Sequence, residues 1–311
     1  MAKPDWSQWL SRFSSGYVLA FHEIPPERLA GFVDLLKPAQ PVPLTEITQR
    51  MSQEKSTRGL FAITVDDGVG DNVRALAQLF LARQWPATFY LPTNYVESGE
   101  GMAFQLWRRV APHLPHRKLG LRSGVLDLSR AGAVEAMNRK MELLWHSKPL
   151  EAYCPVIQEL VEIVAAEGIP RAALQPPAPI TWEEAYYLSR TDLIRFESHG
   201  VTHAAMSALA EPELAFEMKH SRDVISEHCG RPCRHLAYPF GSPLSIGARV
   251  PAMAQRFYDS AVTLNPGAAG GEATPWLLPR IPLHASNSRV AAWLKTRLRY
   301  CRSGPRDSHA D

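Results

Sequence analysis

Short apolar runs rich in β-branched and aromatic residues recur along the chain, at 17–22, 60–65, 87–91, 193–198, 235–238, 260–263 and 276–283. Their apolar residues stand at successive positions, with little polar alternation, which is the pattern of strands buried on both faces. Between them the period changes. Residues 26–36 set Leu29, Phe32, Val33 and Leu36 on one helical stripe, and 72–83 do the same with Val73, Leu76, Leu79 and Phe80. Residues 211–228 line Leu214, Met218, Ile225 and the neighbouring Val224 along one face, and Gly230 follows as a terminator. Strands alternating with helices predict a mostly parallel sheet.

From about 97 to 181 this rhythm is interrupted by a helix-rich, more basic stretch. It includes helical patterns over 129–145 and 151–168 and closes on Pro176-Pro177-Ala178-Pro179. We read it as an insertion within a single domain spanning 1–311, between the third and fourth strands. Because it leaves from the C-terminal end of a strand, it should lie over the active-site face if the strands close into a barrel. No repeat of fixed period occurs, and the polar tail 303–311 reads as frayed.

With 311 residues and 45% hydrophobic content, the chain supports a substantial core. Its 34 basic residues against 31 acidic ones give a net charge of +3, which does not call for nucleic acid as a partner. Residues 1–9 hold no apolar core of signal-peptide length, and no apolar run approaches the ~20 residues that span a bilayer, so the expected location is cytoplasmic. The stretch 289–302 carries Lys295, Arg297, Arg299 and Arg302 around Trp293, Leu294 and Leu298. That pattern suits a packing helix with a solvated basic face, and it also suits peripheral contact with an anionic inner membrane face. Cys154, Cys229, Cys233 and Cys301 are too few and too irregular for a disulfide framework, and Cys229-x3-Cys233 lacks the second pair of a zinc finger.

Two sites carry chemistry. Asp66-Asp67-Gly68 ends the apolar run 60–65, and His199-Gly200-Val201-Thr202-His203 follows the run 193–198. Alone, an Asp-Asp-Gly is usually a turn and a His-x3-His a surface pair. Both, however, follow predicted parallel strands, whose C-terminal ends share one face in α/β sheets and barrels. A hydrolytic metal needs three protein ligands and an open position, and Asp67, His199 and His203 fit that set. Asp66 then stands beside the water such a metal activates, placed to accept its proton, and strand alternation separates the roles of the two carboxylates.

Thr64-Val65-Asp66-Asp67-Gly68 and His199-Gly200-Val201-Thr202-His203 resemble the first two motifs of the polysaccharide deacetylase family, the NodB-homology carbohydrate esterases. Ala87-Thr88-Phe89-Tyr90-Leu91-Pro92 resembles its Ala-Thr-Phe-Phe segment, and Ala237-Tyr238-Pro239-Phe240-Gly241 its Tyr-Pro-x-Gly motif. Ala261-Val262-Thr263 and Leu278-Pro279-Arg280-Ile281-Pro282 follow in the expected order, so the resemblance runs over about 16–290 with the insertion unmatched.

The resemblance implies a distorted (β/α)7 barrel and metal-dependent removal of an N-acetyl group from a sugar. It makes Asp66 the general base and Asp67, His199 and His203 the metal ligands, with Tyr238, Pro239, Phe240 and Gly241 shaping the acetyl pocket. One divalent ion is implied, zinc in most of the family and cobalt, nickel or another ion in some members. The chain departs from the pattern twice. No Arg stands at His235-Leu236-Ala237-Tyr238-Pro239, and we assign Arg280 to hold Asp66 ionised and aimed. The family's Leu-x-His survives only as Pro282-Leu283-His284, which makes His284 the first candidate for the general acid and His22 the second. The expected substrate is an N-acetylated sugar or glycan precursor, lipid-linked or nucleotide-linked. A deformylase or other amide hydrolase on a lipid-linked or small molecule is the alternative, and a non-catalytic glycan-binding module the third reading.

Overall fold

The structure, a computed structural model, describes residues 15–115, 117–270 and 273–288. The readings made for 1–9, for the basic stretch 289–302 with Cys301, and for the tail 303–311 fall outside the described residues.

The strands in chain order are β1 (Tyr17–Phe21), β2 (Gln40–Pro41), β3 (Leu60–Val65), β4 (Ala87–Leu91), β5 (Lys118–Leu121), β6 (Gly124–Asp127), β7 (Ile194–Ser198), β8 (His235–Ala237), β9 (Ser260–Val262) and β10 (Ile281–Pro282). The main sheet runs β10-β1-β3-β4-β7-β8-β9, with β2 beside β3, and every pairing in it is parallel. Leu278 bridges to Val262 at one edge, and three residues later Ile281 pairs with Leu19 of β1 at the other. One short segment therefore spans both edges, and the curled sheet has the architecture of a distorted (β/α)7 barrel. The expected long last strand over 276–283 is instead a 3-10 turn, Pro275–Leu277, followed by the two-residue β10. Pro275, Pro279 and Pro282 explain this, since each lacks the N–H that a ladder requires.

Alternation along the strands divides the residues between two cores. Leu19 and Phe21 of β1, Phe61, Ile63 and Val65 of β3, Phe89 and Leu91 of β4 and Phe196 of β7 pack outward against the helices. Those helices include Gly70–Arg83, fastened by Val73, Leu76 and Phe80, and Glu211–Cys229, fastened by Leu214, Met218 and Ile225 and ended by left-handed Gly230. The alternate residues Val18, Ala62, Tyr90, Ala237 and Val262 fill the inside. With them lie the buried polar side chains Thr64, Thr88, Glu197, His235, Ser260 and Arg280. Because Val65 faces outward, Asp66 inherits the inward position.

Residues of the expected insertion gather round a core of their own, built from Trp107, Val110, Leu119, Met141, Ile157 and Leu160. It contains the helices Ala103–Val110, Ala133–Ser147 and Cys154–Ala166 and the antiparallel hairpin β5–β6, which the apolar periodicity does not reveal because Gly124, Val125 and Asp127 are exposed. The helix Trp182–Ser189 returns the chain to the barrel, with Thr181 and Glu184 forming a reciprocal capping box. Among the described residues no helix is long and apolar enough to cross a membrane.

Candidate active site

Asp66 extends the β1–β3 ladder by one bond, its N–H donating to the Phe21 carbonyl at 2.9 Å. Asp67 then takes φ 75° and Gly68 φ 69°. Strand alternation would send Asp67 outward into the core that holds Val65. The left-handed turn swings it to the barrel mouth instead, so the two carboxylates are separated by a backbone reversal and not by the pleat, as the sequence reading had it. Gly68 is required there both by its φ and by space, since a Cβ would lie 2.6 Å from Leu91 Cδ2.

The second segment is a loop, turned by Gly200 at φ 78° and His203 at φ 60°. Glu217, from the helix Glu211–Cys229, holds it in shape. Its carboxylate accepts from the Val201 N–H at 2.6 Å, from the Thr202 N–H at 3.2 Å and from Thr202 Oγ1 at 2.6 Å. Burial pushes the Glu217 carboxyl up, and the hydrogen bonds from Thr202 and Val201 pull it back. The sequence reading passed over Glu217, although a signal was present: it falls on the buried stripe of its helix, between Leu214 and Ser221.

These two turns bring Asp67, His199 and His203 together, each buried, with one potential ligand atom apiece within 4.8 Å of the others. Asp67 Oδ1 lies 3.7 Å from His199 Nε2 and 3.5 Å from His203 Nε2. Both distances are too long for hydrogen bonds, and among the described residues Asp67 Oδ1 has no hydrogen-bond partner. His199 Nδ1 is 2.7 Å from the Ala237 carbonyl, which fixes the proton on Nδ1 and turns the Nε2 lone pair toward Asp67. Burial holds His199 below its ordinary value against the pull of Asp66 and Asp67, and burial holds His203 well below. Neutral imidazole lone pairs facing an unsatisfied buried carboxylate are an acceptor set without a donor. A divalent cation completes it, so the residues fit a metal site. Rings surround His203 on the other sides, with Phe240 at 4.7 Å and Phe104, from the insertion, at 5.1 Å.

Arg280 is wholly buried and grips Asp66 with both ends of its fork. Nη1 donates to Oδ1 and Nη2 to Oδ2, each at 2.7 Å. Two further donors go to Thr64 Oγ1 at 3.0 Å and, from Nε, to the Thr263 carbonyl at 2.9 Å. Burial alone would raise the Asp66 carboxyl, but the Arg280 charge and the Arg280 hydrogen bonds override it. Asp66 is held well below the usual carboxylate range. His22, at the end of β1, places Nε2 3.8 Å from Asp66 Oδ2, and the His284 ring stacks on His22 with centroids 6.3 Å apart.

Of the Tyr238–Gly241 group, only Phe240 lines the cavity above the site. Tyr238 turns into the outer core, where its hydroxyl donates to the Trp276 carbonyl at 2.8 Å. Pro239 abuts the Gly200 position, and left-handed Gly241 sits against Leu264, where a Cβ would come within 2.5 Å of a backbone nitrogen. The same cavity is walled by Phe104, Trp107 and Trp145, from the stretch 97–181.

Comparison with known proteins agrees with this geometry. The sequence model of the family described as Polysaccharide deacetylase matches residues 150–256, which include His199, His203 and the Tyr238–Gly241 segment and begin inside the stretch read as an insertion. Comparison with curated proteins finds no match. Among solved structures, the Streptococcus pyogenes deacetylase PplD in complex with acetate is similar at a TM-score of 0.58 and 15% identity, covering 90% of this chain and 97% of that one. IcaB from Ammonifex degensii is similar at 0.55 and 14% identity, covering 91% and 98%, and the deacetylase domain of BpsB from Bordetella bronchiseptica at 0.56 and 12%, covering 87% and 96%. At such identities these likenesses speak for the fold. The family model thus matches about a third of the chain, and the fold of nearly the whole chain is similar to that of solved polysaccharide deacetylases.

Proposed function

We propose that this protein is a metal-dependent hydrolase that removes N-acetyl groups from a sugar or glycan precursor. The observation that carries the reading is the pairing of two unlike carboxylates. Asp67 is buried, unsatisfied and faced by two imidazole lone pairs, while Asp66 beside it is clamped ionised by Arg280.

In this reading Asp67, His199 and His203 would hold the cation, with zinc the leading choice because it suits two imidazoles and a carboxylate with one position left open. When bound, such an ion polarises the acetyl carbonyl and makes a water ligand acidic. Asp66 would orient a water at the site and accept its proton. Arg280 keeps Asp66 ionised and fixes its plane, and Phe240 closes the pocket beside His203. The departing amine needs a proton. What supports His22 as its source, ahead of His284, is the 3.8 Å between His22 Nε2 and Asp66 Oδ2, with His284 stacked behind. A proton gained by Asp66 can then pass to the imidazole.

The test is acid release from N-acetylated saccharides, free and lipid-linked, by protein loaded with zinc, cobalt or nickel. Acetate is expected from wild type, with a loss of at least about a hundredfold in Asp66→Asn, the range of a positioned acid/base group. His22→Asn should cost more turnover than His284→Asn. Formate in place of acetate, or an Asp66→Asn variant as active as wild type, would overturn the reading.

A further inference from the structure

A second cavity, of about 550 Å³, lies at the N-terminal ends of the barrel strands, away from the face that carries Asp67 and His199, and Arg195, Arg231 and Arg234 line it. Its make-up follows from the order of residues along β7. Phe196 packs into the outer core, so Arg195 and Glu197 on either side of it point the other way, and Arg195 stands one residue inside the start of the strand. Arg231 and Arg234 come from the turn that leads out of the helix Glu211–Cys229 into β8.

The protein's own carboxylates serve these arginines poorly. The side chains of Arg195 and Arg231 are only 34% and 28% exposed, yet among the described residues the one acid within ion-pair distance of either is Asp192, itself 93% exposed. Arg231 reaches a single Asp192 oxygen at 3.4 and 3.5 Å, and Arg195 reaches the same oxygen at 3.9 Å. All three are longer than a well-made N–H···O bond. Burial and the neighbouring Arg231 charge lower the Arg195 guanidinium from its ordinary value, the mark of two cations with too little counter-charge between them. The other acids of the cavity are committed elsewhere. Glu46 accepts from Arg50 at 2.9 Å. Glu197 accepts from the Arg234 and His235 N–H groups at 2.6 and 2.7 Å. Arg234 meets Asp259 at 3.0 Å in a pair more than half exposed on both sides, which solvent screens and which leaves Arg234 able to turn inward.

We propose that this underside cavity is a binding site for a phosphoryl group, held between Arg195 and Arg231, with Arg234 at the rim and Gln49 of the helix Leu44–Ser52 as a neutral donor. Asp192 meets both guanidinium groups through one oxygen. A phosphoryl group presents three, enough to engage both forks at once. The cavity is several times larger than a phosphate ion, which leaves room for the organic part of a monoester. The site is separate from the candidate metal centre and does not depend on the deacetylase reading.

Calorimetric titration of the zinc-loaded full chain at constant ionic strength, with inorganic phosphate and separately with a hexose phosphate, tests the site. Stoichiometric binding is expected, with no heat from chloride at the same concentration. Arg195→Gln and Arg231→Gln should each weaken it about tenfold or more, the share of one charge-assisted fork. Asp192→Asn, a change at an exposed side chain that spares the fold, should strengthen it about twofold or more, because a competing surface carboxylate is gone. Tighter binding of the hexose phosphate identifies a phosphate monoester as the occupant, and equal or tighter binding of inorganic phosphate identifies the free ion; either keeps the site. No binding of either anion, or affinities unchanged in all three variants, would overturn it. So would binding lost in Asp67→Ala and kept in the arginine variants, because the phosphate would then sit at the metal.

Discussion

Arg280 shows how much one residue can decide. It is a wholly buried cation whose cost is offset because every polar atom of its guanidinium region has a partner: Asp66 twice, Thr64 and the Thr263 carbonyl. Removing either member of such a pair strands a buried charge, at a cost of about 3–5 kcal/mol. Lysine keeps the charge and loses the fork. Arg280→Lys should therefore fold, bind metal as wild type does and lose at least about tenfold in turnover, because Asp66 stays ionised but swings out of plane. Metal analysis and acetate release on the same preparation check this, and undiminished turnover would remove Arg280 from the mechanism. Glu217 works at the same scale on the other half of the site. It bonds the Val201 and Thr202 amides, and a Cβ at Gly200 would lie 2.8 Å from its Oε2, so loop, glycine and carboxylate specify one another.

At the scale of elements, neighbouring strands inside the barrel carry two groups of opposite habit. Burial lowers His235 of β8, whose ring reaches Ser260 at 2.8 Å and Thr45 at 3.0 Å, to about 4 from 6.5. Burial raises Glu197 of β7 to about 7 from 4.5, despite hydrogen bonds from the His235 and Arg234 N–H groups. The signs are opposed. Between 4 and 6.5 the unfolded His235 binds the extra proton, so its contribution to stability rises with pH; between 4.5 and 7 the folded Glu197 binds it, so that contribution falls with pH. Where the windows overlap, each slope approaches about 1.4 kcal/mol per pH unit and they largely cancel. In urea unfolding across that overlap, Glu197→Gln should gain stability as pH rises and His235→Asn should lose it. Variants that differ from wild type by a pH-independent offset would show that these groups titrate as they do in the unfolded chain.

For the whole molecule, a cation bound at Asp67 ties β3 to the loop after β7, elements 132 residues apart from Asp67 to His199. Binding to the folded state alone stabilises it by about 2.7 kcal/mol when the free ion is at a hundred times its dissociation constant. Zinc should therefore raise the unfolding temperature by several degrees, a chelator should reverse the rise, and Asp67→Ala should abolish the response. An equal rise in Asp67→Ala would place the ion elsewhere.

The sequence by itself determined the strands and the chemistry at their ends. Apolar runs name β1, β3 and β4 almost to the residue, because a strand buried on both faces has no freedom to hide its pattern, while β7 is interrupted by Arg195 and Glu197. Asp66, Asp67, His199 and His203 stand out because charged and ionisable residues directly after such runs have no packing explanation. The assignment of Arg280 to Asp66 came from the resemblance, which expects an Arg that the segment 235–239 lacks, and the structure shows the two hydrogen-bonded. The tertiary structure alone decided what depends on groups distant in sequence. Proline cut the expected last strand to two residues, and the insertion's exposed hairpin carries no apolar period. Glu217 and Trp145 acquire meaning only from the loop and the cavity they face, and His22 drew nearer to Asp66 because β1 lies beside β3. Local apolar patterning writes strands and helices into the chain, while the meeting of one element's side chain with another's is a property of the folded barrel.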